Sequence, residues 1–146
     1  MPLETHFVFH HVGLAVKDIE ASTKALSSCG LKASEEFPDA IDELIGVRLR
    51  FLAPNGNGPL VELVSGLDEV NPVRETLSKN GVCLYHMCFE VPNLVEAANH
   101  LKSSSYLAVS NPIKAKAFSN RPIQFFYHVD SGLIEILEAR PGTDGK

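Results

Sequence analysis

The chain has 146 residues, enough for one domain that buries a core of its own. Its 45% hydrophobic and 21% charged residues are ordinary for a folded globular protein, and its net charge of −5 excludes the clustered basic surface of a nucleic-acid binder. No apolar run approaches the ~20 residues needed to cross a bilayer, and no basic amphipathic stretch suits a membrane surface.

In chain order, Phe7 to Val16 is rich in β-branched and aromatic residues and reads as a strand. Asp18 is a good N-cap, and Ile19, Ser22 and Leu26 set a mostly apolar stripe on a helix ending near Gly30. Leu31 to Phe37 is a second strand. Val47 to Ala53 and Pro59 to Val64 form a hairpin, because Pro54-Asn55-Gly56-Asn57-Gly58 between them is strong turn chemistry. Residues 66–82 form a connector. Within it Asn71-Pro72, then Val73 and Leu77, then Gly81 mark a short helix with Pro near its start and Gly after its end. The plan then recurs. Cys83 to Val91 is a strand, Asn93 caps a helix to Leu101, and Tyr106 to Val109 is a strand. Pro122 to His128 and Gly132 to Leu137 form a hairpin around Asp130-Ser131-Gly132.

The recurrence is an internal repeat. The segment Phe9-His10-His11-Val12-Gly13-Leu14-Ala15-Val16 matches Leu84-Tyr85-His86-Met87-Cys88-Phe89-Glu90-Val91. The segment Leu60-Val61-Glu62-Leu63-Val64 matches Leu133-Ile134-Glu135-Ile136-Leu137. The offsets are 86 − 11 = 75 and 135 − 62 = 73, nearly constant across two motifs. The reading is α+β: two tandem β-α-β-β-β modules, 7–65 and 83–138, with eight strands and two main helices in one domain over 1–146.

The matched positions carry the chemistry. Side chains alternate along a strand, so His11 shares a face with Phe9 and Gly13, and His86 with Leu84 and Cys88. Glu62 lies with Leu60 and Val64. Glu135 lies with Leu133 and Leu137, with Ile134 and Ile136 opposite. Each Glu is a lone carboxylate in an apolar strand, and burying one costs several kcal/mol unless it pairs or binds a metal. Two imidazoles and two carboxylates make an N/O set for a divalent ion such as Zn, Co, Ni or Mn. The competing reading puts both carboxylates on a half-exposed sheet and both histidines in the core. The two-fold repetition of all four favours the metal.

His10-His11-Val12-Gly13-Leu14-Ala15-Val16, Tyr85-His86-Met87-Cys88-Phe89-Glu90-Val91 and Gly132-Leu133-Ile134-Glu135-Ile136-Leu137-Glu138 resemble the vicinal oxygen chelate (glyoxalase/bleomycin resistance) superfamily. They are most similar there to methylmalonyl-CoA epimerase-like proteins. The resemblance implies paired modules forming a curved mixed sheet around one divalent metal, with His11, Glu62, His86 and Glu135 as ligands and two positions open for substrate oxygens. It also implies a homodimer. A divalent-metal-dependent isomerase or epimerase follows, acting on an acyl thioester such as methylmalonyl-CoA through a stabilised enolate. Glu135 is the expected base and Glu62 its counterpart on the other face. The alternatives are a glyoxalase I-like lyase on a thiol adduct and a metal-free ligand-binding protein of the resistance type.

Three departures bear on the substrate. Some epimerases carry an extra Glu on the third strand, where this chain has Leu49. Their loop before the seventh strand is often Gly-rich with a Lys; here it reads Lys114-Ala115-Lys116-Ala117-Phe118-Ser119-Asn120-Arg121-Pro122. The Phe-Tyr pair common on the first helix of glyoxalase I is replaced by Ala25-Leu26.

The remaining polar residues take blander readings. His10 is a packing residue, His128 a hairpin-edge residue, and His6 and His100 are exposed. Arg48 and Arg50 share a face that meets either a carboxylate or solvent. Lys114, Lys116 and Arg121 face solvent, and Gln124 and Tyr127 are pocket candidates. Cys29, Cys83 and Cys88 are odd in number and lack CxxC spacing, and the N-terminus has no apolar signal segment; the expected setting is a reducing cytoplasm.

Overall fold

The structure, a computed structural model, describes residues 2–142. The described residues form ten strands and three α-helices, an α+β protein that divides into two compact units. The first unit holds His11–Tyr85 together with Lys116–Phe118; the second holds the rest of the described chain.

In the first unit, the strands are β1 (Val8–Ala15), β2 (Lys32–Ala33), β3 (Ala40–Asp42), β4 (Val47–Ala53) and β5 (Leu60–Gly66). They run in the order β2-β4-β5-β1, with β3 paired to β4. β4 and β5 are the antiparallel hairpin that the Pro-Asn-Gly turn demands. β1 lies parallel to β5, which requires a crossover, and α1 (Ile19–Ser27) belongs to that connection. The Asp18 carboxylate accepts the Ala21 N–H at 3.1 Å and caps α1. Gly30, at φ +84°, ends the turn after α1, and the Leu31 N–H reaches back to the Leu26 carbonyl. Beneath α1, Val16, Leu52 and Leu63 are fully buried, with Ile19 and Leu26 packed on them. The connector helix α2 is Arg74–Asn80, ended by Gly81 at φ +69°. It starts later than its Pro suggested, because Asn71 Oδ1 accepts the Val73 N–H in a turn ahead of it.

The second unit repeats the plan with β6 (Cys83–Val91), α3 (Leu94–Ser103), β7 (Leu107–Ala108), β8 (Ile113–Ala115), β9 (Arg121–His128) and β10 (Gly132–Glu138). The order is β6-β10-β9-β7, with β8 paired to β9 and β10 parallel to β6. Asn93 caps α3 through the Glu96 N–H, with backbone angles within a few degrees of those of Asp18. Ser105 occupies the left-handed position that Gly30 holds in the first unit. Leu94, Ala97, Ala98 and Leu101 of α3 bury against Phe126, Ile134 and Ile136. Phe126 and Ile136 are completely inaccessible, each worth roughly 2–3 kcal/mol of burial.

The structure has ten strands where eight were expected. The additions, β3 and β8, are three residues each and sit at the repeat offset of 113 − 40 = 73. They lie in segments with no period-2 pattern long enough to read. The strands expected over 31–37 and 106–109 shrink to two residues each, β2 and β7, because only their starts pair with β4 and β9.

Candidate functional site

In the first unit the parallel register places His11 of β1 and Glu62 of β5 on one face, since Gly13 lies beside Glu62 and His11 two residues before it. His11 is fully buried and Glu62 is 4% exposed. The His11 Nε2 lies 3.4 Å from Glu62 Oε1. Two aromatic rings pack on the imidazole, and a third backs them. Phe51, directly across from Glu62 on β4, meets it edge-on at 5.2 Å, and Phe118 stacks on it at 5.8 Å. Phe37 closes against both, at 5.2 Å from Phe51 and 5.6 Å from Phe118. Leu49 lies on this same face, opposite Val64, and is buried.

The second unit builds the matching pair. Glu135 of β10 sits in register with Cys88 of β6, so Glu135, Cys88 and His86 share a face. His86 Nε2 lies 3.1 Å from Glu135 Oε1, and both side chains are all but inaccessible. Phe125, paired with Glu135, packs edge-on against His86 at 5.7 Å. Ile134 and Ile136 point away into the α3 core, as the alternation required.

A carboxylate and an imidazole at this spacing have two chemical options. They can pair as ions when the imidazole is protonated, or they can act as adjacent ligands of one cation. Two ligands about 2.1 Å from an ion at right angles stand about 3 Å apart. Their oxygen and nitrogen donors suit a divalent transition metal, and dry apolar walls strengthen charge–charge attraction. Each buried pair, His11 with Glu62 and His86 with Glu135, thus offers the donors of a candidate metal site. Both carboxylates are buried, so the half-exposed-sheet reading fails for them.

Other expectations resolve one by one. His128 is an edge residue whose Nδ1 accepts the Asp130 N–H. His6 and His100 are half-buried rather than exposed; the His100 ring lies 5.9 Å from Phe7. Arg121 does not face solvent: it donates to Glu90 at 2.9 Å and to the Glu138 carbonyl. Gln124 pairs with Ile136, so it faces the α3 side and donates to the Ser110 carbonyl, whereas Tyr127 lies on the Glu135 face. Arg50 is clamped by Asp39, Glu20 and Thr23. The hydrogen bonds to Asp39, then those to Glu20, push its guanidinium still further above its ordinary value, so it stays charged. Arg48 remains exposed and lines an open cavity of about 540 Å³ with Lys17, Asp18, Glu20 and Asp39, where acidic and basic groups balance.

Sequence reasoning missed the rings of Phe37, Phe51, Phe118 and Phe125, and the buried Asp42, only 2% exposed. One signal was available for Asp42: the repeat offset aligns it with Ala115, so one module places a carboxylate where the other needs none.

Among known proteins, residues 10–125 match the family model described as the Glyoxalase/Bleomycin resistance protein/Dioxygenase superfamily. A human protein named methylmalonyl-CoA epimerase, mitochondrial, is 30% identical over 134 residues, 89% of this chain and 73% of its own length. The crystal structure of methylmalonyl-CoA epimerase from Mycobacterium tuberculosis aligns with a TM-score of 0.79 at 25% identity, covering 92% of this chain and 89% of that one. A methylmalonyl-CoA epimerase solved with methylmalonyl-CoA and NH4+ aligns with a TM-score of 0.77 at 20% identity, over 92% of this chain and 96% of that one. Among the described residues, no helix is long and apolar enough to cross a membrane.

Proposed function

Since the chain belongs to the glyoxalase/bleomycin resistance protein/dioxygenase superfamily and is an enzyme of epimerase-like type, we propose that it is a divalent-metal-dependent epimerase of an acyl-CoA thioester such as methylmalonyl-CoA. The observation that carries this reading is the duplication of one buried His/Glu pair at matched strand positions, in a chain that aligns over most of its length with epimerases. On this reading His11, Glu62, His86 and Glu135 hold a single ion of the Zn, Co, Ni or Mn class. Both pairs have the donor chemistry and spacing that such an ion requires.

Bound there, the ion would supply Lewis-acid stabilisation of negative charge on the thioester carbonyl oxygen. The protein residues carry the proton. Glu135, which would help to hold that ion, takes the α-proton on its carboxylate. The planar enolate then accepts a proton on its opposite face, with Glu62 in the matching role. The apolar rings around each pair exclude the water that would compete for that proton. The protein acts as a homodimer on this reading, in a reducing cytoplasm that suits cysteines joined by no disulfide among the described residues.

The test is transfer of solvent deuterium into the α-carbon of methylmalonyl-CoA, measured by NMR, alongside metal analysis of the purified protein. Metal-dependent exchange with one ion per chain supports the proposal. Absent exchange together with lyase activity on a glutathione hemithioacetal replaces it with a glyoxalase-like reaction. Two ions per chain would separate the two pairs into independent sites.

A further inference from the structure

Asp42 is a buried carboxylate that the reaction above leaves unused. It ends β3, and its exposed neighbours on either side, Ile41 and Glu43, show that only this side chain turns inward. Its Oδ1 accepts the Ile45 N–H at 3.1 Å, and its Oδ2 accepts the Lys116 N–H at 3.2 Å. These donors stand 71 residues apart (116 − 45) on separate segments of the first unit. The Lys116 side chain is exposed, so the tie is made through its backbone.

Lys116 opens a one-turn 3-10 helix, Lys116–Phe118, and the third residue of that turn is the ring stacked on His11. The far end of the turn is also constrained. Ser119 and Asn120 take positive φ values of 55° and 66°, and the Asn120 N–H binds the Ala115 carbonyl at 2.9 Å. Two successive non-glycine residues in the left-handed region are unfavourable, and such strain persists only where surrounding structure enforces it. In the other module the position matching Asn120 is Gly46, whose N–H binds the Asp42 carbonyl as the Asn120 N–H binds that of Ala115, and there this backbone costs little.

We propose that Asp42 is a positioning residue: by holding the Lys116 N–H it locks Phe118 against His11 and fixes the orientation of that imidazole. The chemistry is particular to a carboxylate. Two separate N–H groups point at two separate oxygens, and an amide in its place presents one acceptor and turns an NH₂ donor toward the second N–H. A phenyl ring stacked on an imidazole can hold it only by shape, so the ring must itself be held. Orienting a histidine from outside in this way typically changes metal affinity by about 10–100-fold. The consequence for metal affinity rests on His11 being a ligand; the orientation of the ring does not.

The experiment therefore has two readouts in the full-length protein. The first is the NMR signature of the His11 ring protons without added metal, which the stacked and edge-on phenyl rings shift from free-histidine values. Asp42→Asn is expected to move these resonances toward free values, as does Phe118→Leu, which leaves Asp42 intact and serves if the first variant does not fold. The double variant is expected to go no further than Phe118→Leu alone, because both act through one contact. Unchanged His11 resonances in Asp42→Asn or in Phe118→Leu would overturn the proposal. The second readout is titration with Co(II), where each single variant is expected to raise the dissociation constant about tenfold. A wild-type protein whose His11 resonances respond as expected but which binds no Co(II) would support the positioning role and reject the metal reading. Additive effects in the double variant would reduce Asp42 to a general stabiliser.

Discussion

The two modules share a plan and solve one packing problem by opposite means. α3 is seated by hydrocarbon: Leu94, Ala97, Ala98 and Leu101 are buried on Phe126 and Ile136. α1 buries no residue fully. The repeat offsets locate the exchange. Ala98 corresponds to Thr23 (98 − 75), and Gln124 corresponds to Arg50, since Arg50 pairs with Leu63 and Gln124 with Ile136 (136 − 63 = 73). Where the second module has an alanine and an amide that donates to the Ser110 carbonyl, the first has a hydroxyl and a guanidinium, and that guanidinium reaches Thr23 at 3.1 Å, Glu20 at 2.8 Å and Asp39 at 2.7 Å. The surroundings of the two His/Glu pairs differ in the reverse sense. His11 packs against two phenyl rings, one of them in the turn whose Lys116 N–H Asp42 accepts, while His86 has Phe125 and shares its face with the small thiol of Cys88. A duplicated fold therefore fixes where the His/Glu pairs stand and leaves each half free to choose how they are supported.

The largest effect should separate the two carboxylates. Glu135→Gln is expected to lower both deuterium exchange and epimerisation by about 10²–10⁴-fold with the fold retained, the contribution typical of a positioned base. Glu62→Gln is expected to slow inversion more than exchange, because the proton still leaves from the Glu135 side. Equal losses of both rates in the two variants would erase the assignment of faces.

Next comes the contrast between the helices. Leu101, only 6% exposed, should cost about 3 kcal/mol when cut to Ala, whereas Leu26, half-buried at the matching position of α1, should cost about 1–2 kcal/mol. Urea midpoints at constant m measure this. Equal losses would mean that α1 is as deeply seated as α3.

The smallest effect tests the clamp. Arg50 is 16% exposed at its side chain, but Glu20 and Asp39 are 78% and 57% exposed, so solvent screens much of the attraction. Arg50→Met is expected to cost about 1 kcal/mol, with the difference from wild type shrinking in molar salt. A loss that is indifferent to salt would make the contribution one of packing by the arginine stem.

The sequence by itself determined the doubled plan and the matched positions of two His/Glu pairs. Alternation along a strand, turn residues and capping residues are local rules, and a repeat doubles every local signal; Asp18 and Asn93 cap their helices with nearly the same geometry. The two carboxylates were legible because a charge inside an apolar strand has few physical justifications. What only the tertiary structure decided was everything set by encounters distant in sequence. β3 and β8 are too short to carry a pattern of their own. The ring of Phe118 reaches His11 across 107 positions (118 − 11), and Asp42 reaches the backbone of Lys116. Phenylalanines look alike in sequence whether they fill a core or wall a site. Which of these they do depends on the partner the fold brings to them, and no local rule carries that information.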